Sequence, residues 1–494
     1  MSADPTWVRR TDHVLRPDPR RVISELFLPG QEETAPGGSR SGGILARVLA
    51  LSEAEVSAEL EALAAAFRGR HRDLTATWEA HLDLVAHRLD PQVPLSPARR
   101  RLVGAFFTKE YAIEGSALTN PSMAPHPDQS GLPSGSTRFV MTLRAVGEGH
   151  ISSMEMRTGT IDASDVVRLD DAPSFAVLPS STVTTYSRAA FEHQLPAAGE
   201  AGADADVVLG ALNPAFDRAE LDAALAELRA QRLTRDSAAR TADIFERIAA
   251  DTYAVQFPAG SAVQERVLTP RSPSESHGIE DVRLVQLTTL DGDSEHVGTY
   301  TAYDGHHVRL HLVRSSDLRT FATAQLSGEG ARDKGLALFP RPIDGRYAAL
   351  SRADRESNAV TTSADLLHWE SARPVQTPER PWEIVQLGNC GPPLETEAGW
   401  LVLTHGVGPM RTYSIGALLL DLEDPTVVLG RLEHPLLTPT EEERSGYVPN
   451  VVYSCGAMLH GRTVVLPYGC SDTATRIALV DLDALLDALR GPST

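Results

Sequence analysis

Residues 313–321, with the sequence VRSSDLRTF, recur 48 residues further along as residues 361–369, TTSADLLHW. A second repeated element, a glycine followed by an apolar strand, begins at Gly345, Gly399 and Gly461. Strand-rich units that recur about every 45–60 residues are typical of the blades of a β-propeller. The repeats therefore predict a mainly β protein, a propeller of four or five blades, in which polar side chains at equivalent strand ends meet in one central channel.

The charge and composition of the chain limit the classes of partner that it can bind. The formal net charge is −20 over 494 residues, which argues against nucleic acid or an anionic membrane as a partner. No segment approaches the roughly 18 unbroken apolar residues of a membrane helix, and the start of the chain lacks the apolar core of a secretory signal. The cysteines, Cys390, Cys455 and Cys470, have no metal-ligand spacing. We therefore expect a cytoplasmic protein with reduced thiols, no bound metal and no membrane partner.

Helical periodicity occurs in two parts of the chain. Ser52 and Glu55 form a capping-box pattern that is followed by apolar residues at helical spacing. We expect residues 1–110 to form a largely helical N-terminal extension and residues 111–494 to form the propeller, with a helical insertion at about 204–254. Because a propeller needs no helices to close, we expect one of these helical segments to border the channel mouth or a subunit contact in a homo-oligomer.

The segment GIEDVR, residues 278–283, places two adjacent carboxylates beside an arginine at the start of a predicted strand. Cleavage of a glycosidic bond needs a proton donor that is held beside fixed charges, because those charges set its pKa. The same pattern also occurs in solvated turns, so the cluster indicates this chemistry only in combination with other motifs.

Seven short motifs lie between residues 115 and 485. They are NPS at 120–122, GIEDVR at 278–283, YTAYDG at 300–305, KGLALFP at 334–340, GWLVLTHGV at 399–407, GYVPNVV at 446–452 and YGCSD at 468–472. Together, and in this order, the motifs resemble glycoside hydrolase family 130. The resemblance leaves the first hundred residues without a counterpart. It implies a five-bladed β-propeller that carries an inverting enzyme, either a β-mannoside phosphorylase or a β-1,2-mannosidase.

The resemblance also implies roles for individual residues. Asp281 corresponds to the catalytic acid, whose proton reaches the leaving oxygen through a hydroxyl of the bound mannose. Asn120, Ser122 and Asp472 correspond to residues that hold this mannose. Arg144 resembles the mannose-binding arginine of the family. We expect further substrate contacts from Glu280, Asp304, Asn389 and His405, of which Asn389 lies between glycines that let the backbone approach a ligand.

The sequence also bears on which nucleophile the enzyme would use. A phosphorylase needs several cations around inorganic phosphate, because a desolvated dianion requires charge-assisted partners. Lys334 lies where the resemblance implies a phosphate-binding lysine, and Arg314 and Arg352 lie near expected basic positions. Phosphate is then a co-substrate, and no other cofactor is expected. The preferred interpretation is phosphorolysis of short β-mannosides, β-1,2-linked or similar, to mannose 1-phosphate.

Two alternatives remain open. The segment SRAD at residues 351–354 replaces a histidine-containing motif that the resemblance leads us to expect, and Glu356 adds negative charge nearby. These acids would repel phosphate, and Glu356 could instead activate water in a hydrolase whose two carboxyls lie roughly 6.5–9.5 Å apart. The other alternative is a non-catalytic carbohydrate-binding propeller, which the presence of Asp281 opposes.

Overall fold

β-Strands form most of the regular structure, so the protein is mainly β with additional helices. The computed structural model describes residues 4–29, 33–35, 38–92, 94–171, 175–231 and 236–491. The chain divides into two compact units, a smaller one of Asp18–Gly115 and Pro173–Leu178 and a larger one of Met1–Pro17, Ser116–Ala172 and Pro179–Thr494. Among the described residues, no helix combines the length and the apolar character that crossing a bilayer requires.

The smaller unit buries an apolar core between four helices, with Leu45, Val56 and Leu102 each 3% exposed or less. The capping box is present, because the Ser52 hydroxyl accepts the Glu55 amide and the Glu55 carboxylate accepts the Ser52 amide. The elements up to residue 112 are β1 (Val8–Leu15), β2 (Val22–Leu26), β3 (Glu33–Ala35), β4 (Gly38–Ser39), α1 (Arg40–Leu49), α2 (Glu53–Ala66), α3 (Leu74–Val85), α4 (Pro97–Phe106) and β5 (Thr108–Ala112).

After residue 115, the larger unit continues with an antiparallel meander, which is followed by a helical insertion. The insertion has its own core around Phe191, Leu225 and Phe245. Its helices begin at Arg188, earlier in the chain than the predicted start near 204. The elements are β6 (Ala117–Pro125), β7 (Thr137–Val146), β8 (Ser152–Ile161), β9 (Val167–Leu169), β10 (Ser180–Ser181), β11 (Tyr186–Ser187), α5 (Arg188–Ala197), α6 (Ala203–Ala211), β12 (Ala215–Phe216), α7 (Arg218–Gln231), α8 (Asp236–Ala250), β13 (Tyr253–Gln256) and β14 (Val267–Leu268).

Four further meanders follow, and within each of them neighbouring strands are antiparallel. The second meander joins the first through one parallel pair, Gly278 with Ser152. The strands of the second are β15 (Gly278–Thr288), β16 (Ser294–Tyr303), β17 (Val308–Ser315) and β18 (Thr320–Gln325), and those of the third are β19 (Ala337–Leu338), β20 (Tyr347–Ser351), β21 (Asn358–Ser363) and β22 (Arg373–Gln376). The fourth comprises β23 (Gln386–Asn389), β24 (Leu394–Thr396), β25 (Gly399–Val407), β26 (Tyr413–Leu420) and β27 (Val428–Arg431), and the fifth comprises β28 (Val452–Tyr453), β29 (Met458–His460), β30 (Thr463–Cys470) and β31 (Ala474–Asp481), followed by α9 (Leu482–Arg490).

The repeated segments form the same turn twice, between β17 and β18 and between β21 and β22. In the first turn the Asp317 carboxylate accepts two main-chain N–H groups, and Asp365 does the same in the second. The next residues, Leu318 and Leu366, have φ values of 53° and 69° and are buried. The aspartate hydrogen bonds compensate for a left-handed conformation that leucine rarely adopts. This explains why Asp-Leu recurs at the same place in both segments.

The insertion is attached to the outer edge of the second meander. β13 pairs with β18, and the strand order continues through β17 and β16 to β15. The Gln194 side chain of α5 donates to the Gln325 carbonyl at 3.3 Å. Asp281 lies on β15, at the other side of this meander. Close to the start of β15, Asp251 at the end of the insertion accepts the Ser274 hydroxyl at 2.6 Å. The expectation that a helical segment borders the channel mouth stays a prediction.

The N-terminal strand β1 completes the fifth meander. It lies antiparallel to β31, with Val8 opposite Val480 and Leu15 opposite Thr475. The residues before Pro17 thus belong to the same compact unit as the C-terminal strands, whereas we expected them in the helical extension. This pairing of the two ends of the chain adds a fifth strand to the sheet of the fifth meander.

Arg10 fixes β1 to the fifth meander. Its guanidinium donates to the Tyr468 hydroxyl at 3.0 Å and to the Thr438 carbonyl at 2.7 Å, and it forms an ion pair with Glu443. The Glu443 side chain is only 1% exposed. Burial alone would raise the pKa of Glu443, but the Thr440 amide and the Arg10 charge outweigh it and lower the pKa. Glu443 is therefore a buried carboxylate that depends on Arg10.

Replacing Arg10 with alanine should destabilise the larger unit by about 3 kcal/mol, because it leaves a buried carboxylate without its main cation. The free energy of unfolding can be measured by denaturant titration. Arg20→Ala is the control, since Arg20 is 84% exposed and forms an ion pair with the nearby Asp18. That change should leave the free energy of unfolding close to that of wild type. Equal effects of the two substitutions would contradict the anchoring role of Arg10.

Candidate active site

Asp281 lies at a distortion near the start of β15. Pairing with β16 shifts register between Glu280 and Arg283, and Asp281 has a φ of 58°. Asn120 and Asp472, which face the same cavity, also have left-handed φ values of 50° and 47°. Non-glycine residues in this conformation are strained, and such residues cluster at active sites. Three distortions around one cavity indicate a functional centre.

The cavity has a volume of about 220 Å³ and a polar lining. Four cations and two carboxylates line it, although the whole protein carries a net charge of −20. The cavity is therefore a locally positive site in an acidic protein. The lining residues are Asn120, Arg144, Asp281, Lys334, Arg352, Gln386, His405, Arg411, Tyr413, Val448, Val451, Tyr453 and Asp472.

The Asp281 carboxylate is held by an amide and by positive charge. The Asn120 side-chain amide donates to it, and Arg144 Nη1 lies 3.9 Å from it. Burial alone would raise the pKa of Asp281, but the charges of Arg144, Lys334 and Arg283, together with the Asn120 hydrogen bond, lower it below the ordinary value. In the free protein Asp281 is therefore ionised.

Glu280 bridges two cations of the cavity. Its carboxylate accepts from Arg144 at 2.6 Å and from Lys334 at 3.0 Å. Ser152 supports the same arrangement by accepting from Arg144 Nε at 2.9 Å. Glu280 is 7% exposed and does not line the cavity. It positions Arg144 and Lys334, whereas we expected it to contact the sugar.

Asp472 is the second carboxylate of the cavity. Its side chain makes no hydrogen bond or ion pair with the described part of the chain. Burial raises its pKa, and the charge of Asp281 raises it further. Both oxygens of Asp472 are therefore available to the hydroxyl groups of a ligand.

Arg283 and Asn389 support the cavity from behind. Arg283 is 2% exposed and donates to the Tyr453 hydroxyl at 2.7 Å and to the Asp281 carbonyl at 3.0 Å. Asn389 is 1% exposed, accepts from Arg283 at 3.3 Å and donates to the Gly335 carbonyl at 2.6 Å. Asn389 thus holds the loop that carries Lys334, and it does not line the cavity as we expected of a substrate-binding residue.

His405 is a neutral acceptor in the wall of the cavity. Its Nδ1 faces the Asn389 carbonyl at 3.2 Å and therefore donates, while its Nε2 accepts from Arg352 Nη1 at 3.3 Å. Burial, followed by the charges of Arg352 and Arg283, lowers the pKa of His405 to about 3. The ring thus holds Arg352 in the cavity without adding charge. Arg352 also lies 3.6 Å from Asp333.

Comparison with known proteins identifies the family. A family model described as beta-1,4-mannooligosaccharide phosphorylase, glycoside hydrolase family 130, matches residues 245–491, which is half of the chain. The chain belongs to family 130 and is an enzyme.

Two curated relatives and one solved structure illustrate the similarity. The chain is 32% identical over 221 residues to a 1,2-beta-oligomannan phosphorylase of Thermoanaerobacter sp. (strain X514), covering 44% of this chain and 72% of that protein. It is 35% identical over 221 residues to a beta-1,2-mannobiose phosphorylase of Listeria innocua, covering 42% and 59%. A structure of the Listeria innocua beta-1,2-mannobiose phosphorylase with beta-1,2-mannobiose aligns over 77% of this chain and 93% of that chain, with a TM-score of 0.47 and 21% identity.

Besides Glu280 and Asn389, the structure of this family 130 enzyme places four more of the expected site residues outside the cavity. Ser122 is fully buried, and its hydroxyl accepts the Leu284 amide at 3.0 Å, so it joins two strands. Arg314 pairs with Glu295 at 2.6 Å on the outer part of the second meander. The other two, Asp304 and Glu356, lie in turns, where Asp304 is partly buried and Glu356 is exposed.

The carboxylates of these two turn residues differ in their hydrogen-bond partners. Asp304 accepts the amides of His306 and His307. Burial alone would raise the pKa of Asp304, but these N–H groups lower it well below the ordinary value. Glu356 has an exposed side chain, and its contacts across the chain are made by its main chain, whose carbonyl accepts the Leu387 amide at 3.0 Å. Glu356 does not line the cavity, so its position does not suit a base acting there.

Four polar lining residues, Gln386, Arg411, Tyr413 and Tyr453, were absent from the predicted set, as were the apolar Val448 and Val451. Arg411 and Tyr413 follow the strand of His405 across one short loop. A basic residue in the loop after a predicted site strand is a signal that could have indicated Arg411. Tyr453 follows the matched motif at 446–452 directly, and its hydroxyl accepts a hydrogen bond from Arg283.

His405 should make the stability of the enzyme depend on pH below neutrality. Between its folded pKa of about 3 and the ordinary value of 6.5, the unfolded state binds a proton that the folded state does not, so stability falls as pH falls through this window. We expect wild type to lose about 2 kcal/mol more than His405→Asn between pH 7 and pH 5. Denaturant unfolding at both pH values measures this difference. His434→Asn, at an exposed position, should behave like wild type, and a wild-type-like loss in His405→Asn would refute the assignment.

Proposed function

We propose that this family 130 enzyme is an inverting mannoside phosphorylase, with Asp281 as general acid and phosphate as co-substrate. The observation that carries the proposal is a single cavity in which Asp281 faces Lys334, Arg352 and Arg411. The names of the phosphorylase relatives, which act on β-1,2- or β-1,4-linked mannosides, support the same reaction class.

The cations of the cavity provide the phosphate site. Lys334 and Arg352 are each held by a neighbouring group, Glu280 and His405 respectively, so their positions are set before the ligand arrives. Arg411 forms no ion pair with any described residue, and its guanidinium lies 6.0 Å from the centroid of the Tyr413 ring. These three cations can give phosphate the charge-assisted hydrogen bonds that a desolvated dianion requires.

Phosphate also affects the proton of Asp281. In the free protein the neighbouring cations keep this carboxyl ionised. A bound dianion offsets their positive charge and so raises the pKa of Asp281. The general acid is then protonated when the nucleophile is present, which couples the acid to the co-substrate.

The reaction is a single displacement. A phosphate oxygen bonds to the anomeric carbon of the mannosyl unit while the bond from that carbon to the leaving oxygen breaks, and Asp281 supplies the proton that the leaving oxygen takes up. Asn120, Arg144 and Asp472 bind hydroxyl groups of the mannosyl unit. The products are mannose 1-phosphate with inverted anomeric configuration and the shortened sugar.

We also infer that the five meanders form a five-bladed propeller with the cavity at its centre. Hydrogen bonds between different meanders support this arrangement. Ser122 accepts the Leu284 amide, Leu387 donates to the Glu356 carbonyl, and Cys455 donates to the Pro121 carbonyl, the last at 2.8 Å. These bonds connect the first meander to the second, the third to the fourth and the fifth back to the first.

Replacing Asp281 with asparagine should lower turnover of a β-mannobioside by at least about a hundredfold, the scale of a lost general acid. Steady-state rates in phosphate buffer measure this. A mannoside with a dinitrophenolate leaving group, which departs without a proton, should be affected far less. Circular dichroism should show an intact fold. Near-normal turnover of the mannobioside by Asp281→Asn would remove the central assignment.

Replacing Lys334 with alanine should raise the KM for phosphate much more than the KM for the sugar, because one charged partner of the anion is lost. Arg314→Ala is the matched control, because Arg314 is paired with Glu295 outside the cavity, and it should change neither constant. Mannose and mannose 1-phosphate are quantified with and without phosphate. Equal wild-type activity in phosphate-free buffer would replace phosphorolysis by hydrolysis.

A further inference from the structure

An exposed pair of stacked rings lies beside the cavity. Tyr447 is 66% exposed, which is unusual for a large aromatic side chain. Its ring stacks on that of His150, with the centroids 5.2 Å apart and the planes inclined by 29°. Neither ring belongs to the lining of the cavity. A flat, exposed and supported aromatic surface is suited to the apolar face of a sugar.

The chain connections place this pair on one side of the cavity. The Tyr447 amide donates to the Thr473 hydroxyl at 3.0 Å, next to the lining residue Asp472. His150 ends the turn between β7 and β8, the strands that carry Arg144 and its partner Ser152. The stacked pair therefore borders the side formed by Asp472 and Arg144.

The direction of the displacement points to the same side. In an inverting reaction the nucleophile and the leaving group occupy opposite faces of the sugar. With phosphate at Lys334 and Arg352, the leaving sugar extends away from these two cations. The cavity of about 220 Å³ is smaller than the roughly 300 Å³ at which pockets for drug-sized ligands begin, so it holds little beyond one mannosyl unit and phosphate. The leaving sugar must then lie on the rim.

We propose that the stacked rings of Tyr447 and His150 bind the leaving-group portion of the substrate, a β-linked manno-oligosaccharide that extends beyond the cavity. The proposal rests on the proposed function, because that function fixes which end of the substrate lies in the cavity. His150 supports the ring of Tyr447 and limits its rotation. Tyr447 thereby favours longer chains over the disaccharide.

The test is the equilibrium binding of β-1,2- and β-1,4-linked mannobiose, mannotriose and mannotetraose to Asp281→Asn protein by calorimetry. In this background, Tyr447→Ala should weaken binding of the trisaccharide about tenfold, the scale of an aromatic contact, and Tyr447→Phe should retain it. Mannose itself should bind equally to all variants. Met410→Ala is the control, because Met410 is 87% exposed on the loop before Arg411 and should change nothing. An unchanged trisaccharide affinity in Tyr447→Ala, for both linkages, would overturn the proposal.

Turnover separates this proposal from the proposed function. In the synthetic direction, Tyr447→Ala should raise the KM for a mannobiose acceptor about tenfold and leave the KM for mannose 1-phosphate unchanged. Equal rises in both constants would indicate a structural role and contradict the proposal. A wild-type enzyme that cleaves mannobiose without phosphate would refute phosphorolysis, while the binding measurements would still decide whether Tyr447 contacts the sugar chain.

Discussion

The bridge that Glu280 forms between Arg144 and Lys334 holds together the positive side of the cavity. Arg144 lies on β7 and Lys334 in the loop before β19, so one carboxylate on β15 joins three meanders at 2.6 and 3.0 Å. Without it, two cations that face the same small space would repel each other and move towards solvent. The next residue along the chain is Asp281, and the distortion of β15 turns its carboxylate into the cavity. Glu280 and Asp281 are therefore neighbours with different tasks, one positioning cations and one facing substrate.

The two carboxylates of the cavity have pKa values that shift in opposite directions. Burial raises that of Asp472, whereas the surrounding cations lower that of Asp281. In the free protein Asp472 consequently holds a proton more readily than Asp281. A bound dianion raises the pKa of Asp281, because it offsets the charges of Arg144, Lys334 and Arg283 that lower it. The acid role that we propose for Asp281 therefore requires phosphate, and this dependence would limit proton transfer to water when the nucleophile is absent.

Residues that were chosen from the combined set of motifs line the cavity more often than residues that were chosen from their immediate sequence neighbours alone. Asn120, Lys334 and His405 lie far apart in the chain, and all three line the cavity, although their roles there stay predictions. Ser122 was predicted from the same motif as Asn120, but the register shift between Thr119 and Ser122 leaves its hydroxyl on a neighbouring strand. A local pattern cannot show such a shift, because the shift depends on pairing with another strand.

Two charged residues that we expected in the cavity lie outside it for a related reason. Arg314 was judged by its charge, yet its strand is the third of its meander and its guanidinium pairs with Glu295. Glu356 lies in an exposed turn, where its main chain rather than its carboxylate makes the contact with β23. The strand order within each meander decides which residues approach the cavity. The sequence repeat shows how far apart the strands lie along the chain, but it does not show in which direction each side chain points.

The lining residues come from all five meanders. The geometry of the site therefore depends on how the meanders are joined to one another. Asn120 lies on β6, Asp281 on β15, Arg352 directly after β20, His405 on β25 and Asp472 directly after β30. The fifth meander obtains its outer strand from β1, at the opposite end of the chain, and Arg10 holds that strand through the buried Glu443. Loss of this strand would expose the edge of β31 and free the meander that carries Asp472. The contact that is most distant in sequence thus supports the geometry of the site, although it contributes no residue to it.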